Sequence, residues 1–142
     1  MVREYETLYV VSPELDKSGI DNLNNKFKNI IQENGGKVIK LTRWGKRDLA
    51  YRIKKYTHGY YIHLNYFGEG RTVNELQRNL RLNENILRYI TIKLSDEADI
   101  NSKESQPDSD LEVKKVDTQS SKDKEREIEE KEGEIEKDGG SK

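Results

Sequence analysis

All eight Tyr, both Phe and the single Trp of this 142-residue chain fall before Lys93. Only that part of the sequence can build a core. From Ser95 to Lys142 the apolar residues are Ile, Leu, Val and Ala alone, widely spaced among charged residues, Ser and Gly. Such a segment buries too little apolar surface to offset its ordering entropy. The expected organisation is therefore one folded domain over residues 1–94 and an acidic, charged, disordered tail over 95–142. On that division, deleting everything after Leu94 should leave the unfolding midpoint nearly unchanged.

The net charge of −1 conceals two opposite halves. Residues 1–94 hold 17 Lys/Arg against 10 Asp/Glu, a balance of +7, and residues 95–142 hold 9 against 17, a balance of −8. A basic domain favours polyanionic partners, and an acidic tail screens it against non-specific contacts or keeps it soluble. With no Cys, disulfides, thiolate metal sites and Cys nucleophiles are excluded, which fits a reducing compartment. The start MVREYETLYVVSP carries no apolar run suited to a signal peptide or membrane span, so a cytoplasmic location is expected.

Within residues 1–94 the hydrophobic period switches repeatedly between two and about 3.6. Tyr5, Thr7, Tyr9 and Val11 alternate as a strand ended by Pro13. A helix follows, capped by Asp16 or Ser18, with Ile20, Leu23, Phe27, Ile30 and Ile31 on one face and Gly35-Gly36 as its stop. Ile39, Leu41, Leu49, Tyr51 and Ile53 share one parity across a long strand, with Gly45 marking a bulge or bend. The turn YTHG leads into YYIHLNYF, where Tyr60, Ile62, Leu64 and Tyr66 face opposite to Tyr61, His63, Asn65 and Phe67. Thr72 then caps a helix bearing Val73, Leu76 and Leu80, and Ile90, Ile92 and Leu94 line one face of a last strand. The order predicts an α+β, ferredoxin-like βαββαβ fold, with two helices on one face of a four-stranded antiparallel sheet.

Catalytic constellations are thin. His58 falls in the expected turn and His63 on a strand, at a separation that matches no metal-ligand motif, and no metal or cofactor is expected. Glu4 and Glu6 share a strand face, an arrangement more typical of salt-bridged pairs than of acid–base catalysis. An acylphosphatase-like small hydrolase would need an anion cradle after the first strand, but the loop SPELDKSG carries two acids and a Pro. A free-standing RNA-recognition module would need a small residue and a stacking aromatic where His58-Gly59-Tyr60-Tyr61-Ile62 has Tyr and Ile.

What remains is RWGKRDLAYRIKK, Arg43 to Lys55, with six basic side chains and one Asp. If Leu49, Tyr51 and Ile53 face the helices, then Lys46, Asp48, Ala50, Arg52 and Lys54 line the other side. Such a row can engage several phosphates, each contact releasing counterions, or can guard a sheet edge against aggregation.

The start REYE, Asn34-Gly35-Gly36-Lys37, RWGKRDLAYRIKK, HGYY and TVNELQRNLRLNENILRYITIK, in that order over Val2–Leu94, resemble the bacterial ribosomal protein S-six family of the small ribosomal subunit. The resemblance implies a non-enzymatic ribosomal protein that binds small-subunit ribosomal RNA together with the small-subunit protein S-eighteen, as a heterodimer. Candidate RNA contacts on that reading are Arg3, Lys46, Arg47, Lys54, Arg88 and Lys93, with Trp44 and Tyr5 as stacking or packing groups. Where the family usually has Pro after Ala-Tyr, this chain has Arg52, which restores a backbone donor and adds a charge.

Overall fold

Pro13 ends the first strand as its missing donor requires. The computed structural model, which describes residues 1–111, places β1 at Arg3–Val11. Helix α1 spans Lys17–Glu33, and Asp16 is its cap, its Oδ1 accepting from the Gly19 amide at 2.8 Å. Ile20, Phe27 and Ile31 are buried along one face of α1, as the three- and four-residue spacing predicts. The helix stops at the double glycine: Gly35 adopts φ +84°, and a Cβ on Gly36 would lie 2.6 Å from the Phe67 carbonyl oxygen. Only glycine lets the chain turn and pass that close to the sheet.

Strand β2 follows at Lys37–Ile53 and β3 at Tyr56–Gly68. The turn between them is Lys54–Lys55, not YTHG: Ile53 pairs with Tyr56, and Lys54 takes the left-handed conformation at φ 55°. Helix α2 covers Gly70–Leu82. Its cap is Glu69 rather than Thr72, which sits in the first turn; the Glu69 amide donates to Thr72 Oγ1 at 3.1 Å. The Thr72 hydroxyl in turn donates to the Asn34 carbonyl at 2.7 Å, tying the start of α2 to the end of α1. Strand β4 closes the series at Ile86–Ser95.

The four strands are antiparallel in the order β4-β1-β3-β2, the ferredoxin-like arrangement, with both helices on one face. Tyr5, Tyr9 and Val11 of β1, Ile62, Leu64 and Tyr66 of β3, and Leu41 of β2 meet Ile20, Phe27, Ile31, Leu76 and Leu80 in one core. In β4 the helix-side residues are Tyr89 and Thr91, opposite Tyr9 and Thr7, so Ile90 looks the other way with Leu8. That second face is covered as well: Leu8, Val10, Tyr61, Phe67 and Ile90 are all buried.

The tail departs from expectation at its beginning. A fifth strand, β5 at Ser109–Asp110, pairs in parallel with β2 at Thr42–Arg43, so the sheet has five strands rather than four. The chain reaches it along a bonded path. The Ala98 amide donates to Val2 O at 2.9 Å and the Gln106 amide to Ile39 O at 2.7 Å, and the compact unit runs to Asp110. Backbone hydrogen bonds to strand ends and edges demand no apolar side chains, which is why composition does not reveal them. The expectation of disorder for the rest of the tail concerns residues 112–142, outside the described part. A chain ending at Leu94 is accordingly expected to melt several degrees below one ending at Leu111, since about 1 kcal/mol shifts the midpoint of a domain this size by roughly 4–8 °C. Coincident melting curves would show that the 95–110 contacts contribute nothing net.

Candidate nucleic-acid interface

The basic stretch of β2 leaves the sheet plane at Gly45, where φ is +90° and the register with β3 shifts between Arg43 and Gly45. Regular pairing then lapses between Asp48 and Ile53, and the β2–β3 hairpin runs on past the end of β1, whose last partner on β3 is Tyr60. Leu49 and Ile53 stay half-buried, but Tyr51 is 51% exposed. Its ring meets the Arg88 guanidinium at 4.7 Å. Arg88 lies on β4 opposite Val10, with β1 and β3 between it and β2 in the sheet, so the hairpin bends across the helix-free face. Gly59 permits the bend: a Cβ there would meet Val10 Cγ1 at 2.5 Å.

At the root of the hairpin, Trp44 lies parallel to His63, with ring centres 6.0 Å apart and planes 13° apart. The Arg47 guanidinium sits 5.5 Å from the Trp44 ring centre. His63 Nε2 is 3.0 Å from Glu6 Oε2, so β1, β3 and β2 all contribute to one polar stack on the helix-free face. At the tip, the Lys55 ammonium bridges Glu14 at 3.1 Å. The Glu14 carboxyl is held below the usual carboxylate range, first by the Tyr56 hydroxyl and then by Lys55. Lys46, Arg52 and Lys54 are exposed along the same hairpin.

Five of the eight sequence candidates therefore belong to one region: Trp44, Lys46, Arg47 and Lys54 on the hairpin, and Arg88 beneath its Tyr51. The other three lie at the far end of the sheet. Arg3 is half-buried opposite Gly68, and Lys93, opposite Tyr5, is ion-paired with Asp96. Tyr5 itself is a core residue, 8% exposed and stacked on Tyr66 at 5.7 Å, because it shares the parity of Thr7 and Tyr9. It has no face to offer a base. Tyr51, whose parity with Leu49 and Ile53 points it toward the helices, instead turns outward onto Arg88, and His63 and Glu6 join the region although no sequence pattern ties them to the hairpin. For Tyr51 the one available signal was strand length, since β2 at 17 residues outruns any helix layer it could be buried beneath.

The arrangement suits polyanion contact better than chemistry. The centre of the helix-free face is closed to bases, with Leu8 and Tyr61 both buried. Among the described residues, no group of three or more His, Asp or Glu is placed to hold a metal ion. No helix among them is long and apolar enough to cross a membrane.

Comparison with known proteins agrees with this geometry. The sequence profile of the family described as Ribosomal protein S6 matches residues 4–93. The small ribosomal subunit protein bS6 of Carboxydothermus hydrogenoformans is 42% identical over 93 residues, covering 66% of this chain and 97% of the relative. That of Syntrophobacter fumaroxidans is 41% identical over 98 residues, 69% of this chain and 67% of its own length. The crystal structure of 30S ribosomal protein S6 from Thermotoga maritima superposes with a TM-score of 0.62 at 32% identity, over 66% of this chain and 88% of that one. The fold, the long basic hairpin and these matches agree: the chain belongs to the ribosomal protein S6 family, structural and non-enzymatic constituents of the small subunit of the cytoplasmic ribosome.

Proposed function

We propose that the chain binds small-subunit ribosomal RNA together with the small-subunit protein S-eighteen, and that the β2–β3 hairpin supplies the principal RNA contacts. The observation that carries the RNA reading is the hairpin itself. It extends past the end of β1 with Lys46, Arg52 and Lys54 exposed, and with Arg47 and Arg88 oriented by aromatic rings. A rigid scaffold of this kind suits RNA recognised by shape and backbone, where phosphate contacts position the protein. The S-eighteen partner rests on family membership.

Lys46 and Lys54 are the best probes, because removing Arg47 would also disturb the ring of Trp44. In the presence of S-eighteen, changing both lysines to Ala should reduce the log–log salt slope of binding to a small-subunit RNA fragment by up to about two. An unchanged slope would show that these side chains face water in the complex. Equal RNA affinity with and without S-eighteen would remove the heterodimer from the reading.

A further inference from the structure

The segment between Asp96 and Asp110 lies beyond the family match at residues 4–93, yet it is bound to the domain along its length. It carries six acids, Asp96, Glu97, Asp99, Glu104, Asp108 and Asp110, against one Lys. It passes from the end of β4 to the edge of β2, with Lys103 on Glu4 at 2.9 Å and Ser105 Oγ donating to Val38 O at 2.6 Å. At the β2 edge two of its carboxylates take cations of the domain: Asp108 meets Lys28 at 2.8 Å and Asp110 meets Arg43 Nε at 2.7 Å.

We propose that residues 96–110 form an autoinhibitory strap, in which Asp108 and Asp110 occupy Lys28 and Arg43 in place of RNA phosphates and must be displaced when RNA binds along the β2 edge. The proposal rests on the RNA-binding reading above and adds a competitor built into the chain. Arg43 opens the same basic stretch that forms the hairpin, so the strap ends where the proposed RNA surface begins.

The attachment at that end is built to be released. β5 is two residues long, Pro107 beside it has no amide to donate, and the Asp110 side chain is 78% exposed. The Arg43–Asp110 pair in such a setting is weak and salt-sensitive. Being tethered, however, the carboxylates act at an effective concentration on the order of millimolar. Sequence-independent RNA binding has dissociation constants of about 10⁻⁴ to 10⁻⁶ M. A fixed penalty of a few-fold therefore empties weak, unrelated RNA sites while a tight ribosomal site stays filled.

The test compares the full chain with its Asp108→Asn/Asp110→Asn variant, which keeps side-chain shape and removes both charges. For a short RNA duplex of unrelated sequence, at about 50 mM salt, the variant should bind roughly three- to tenfold tighter. Its log–log salt slope should steepen by up to about two, one for each released cation. In the unaltered chain the Gln106 amide, bonded to Ile39 O, should exchange faster once RNA is bound. Equal affinities and slopes, or a Gln106 amide that stays protected in the complex, would overturn the strap alone. Absence of binding by either chain, including to a small-subunit fragment with S-eighteen, would overturn the RNA-binding reading and the competition with it.

Discussion

Replacing Phe27 with Ala is expected to destabilise the protein by about 3–5 kcal/mol, a large share of the roughly 5–15 kcal/mol that holds a domain of this size. Phe27 is fully buried on α1, and its ring meets Tyr9 edge-on at 5.2 Å. Tyr9 is equally buried and donates from its hydroxyl to Asn24 Oδ1 at 2.6 Å, one turn before Phe27 on the same helix. Removing the phenyl ring leaves a cavity against β1, the strand that pairs with both β3 and β4, so the surroundings cannot collapse without moving the centre of the sheet. Leu82→Ala is the control. That side chain is 67% exposed at the end of α2, and its truncation should fall within about 0.5 kcal/mol of the parent. Urea unfolding midpoints of the three proteins check both statements. A Phe27→Ala loss no larger than the Leu82→Ala loss would mean that the α1 face does not anchor the sheet.

The parts of the fold that depend on side-chain period were legible in the sequence, and the parts that depend on backbone geometry were not. Ile20, Phe27 and Ile31 announced α1, and the parity of Tyr60, Ile62, Leu64 and Tyr66 announced the buried face of β3. The hairpin turn falls at Lys54–Lys55 rather than at YTHG because its position is set by Lys54 entering the left-handed region, and Lys-Lys carries none of the usual turn residues. The 95–110 path is invisible for a related reason: its backbone links, from the Ala98 amide to Val2 O and from the Gln106 amide to Ile39 O, are bonds that any polar sequence can make. At the candidate interface, charge points to Arg43–Lys55, and Gly45 marks the bend. The curl that brings Tyr51 over Arg88, three strands away, is a property of sheet twist that no local pattern encodes. Tyr5 shows the converse. Its parity already placed it with Thr7 and Tyr9 on the helix side, and that observation outweighs the general affinity of aromatic rings for bases.

High pH should unfold this protein through its buried phenols, and Tyr66 is the residue that tests it. Its hydroxyl lies 2.9 Å from Thr7 Oγ1, which is itself 2.9 Å from Thr91 Oγ1, so a short polar chain crosses three strands inside the core. Burial pushes the Tyr66 phenol up to about 12, although hydrogen bonds with Thr7 and Thr91 pull the other way. The folded value lies above the unfolded value near 10, so the stabilisation is complete below pH 10 and is lost as pH rises towards 12. A separation of about two units corresponds to a loss of about 1.4 kcal/mol by pH 11 and about 2.7 kcal/mol once both states are ionised. Burial raises Tyr9 as well, which adds to the loss in the same direction. Tyr66→Phe should cost about 1 kcal/mol near pH 8, because Thr7 retains Thr91 as a partner. Between pH 9 and 11, however, the variant should lose about 1.4 kcal/mol less than the parent, with lysine deprotonation common to both. Urea unfolding at the two pH values measures the difference. Parallel losses would mean that the Tyr66 phenol ionises equally well folded and unfolded, and that water reaches the Thr7–Tyr66–Thr91 chain.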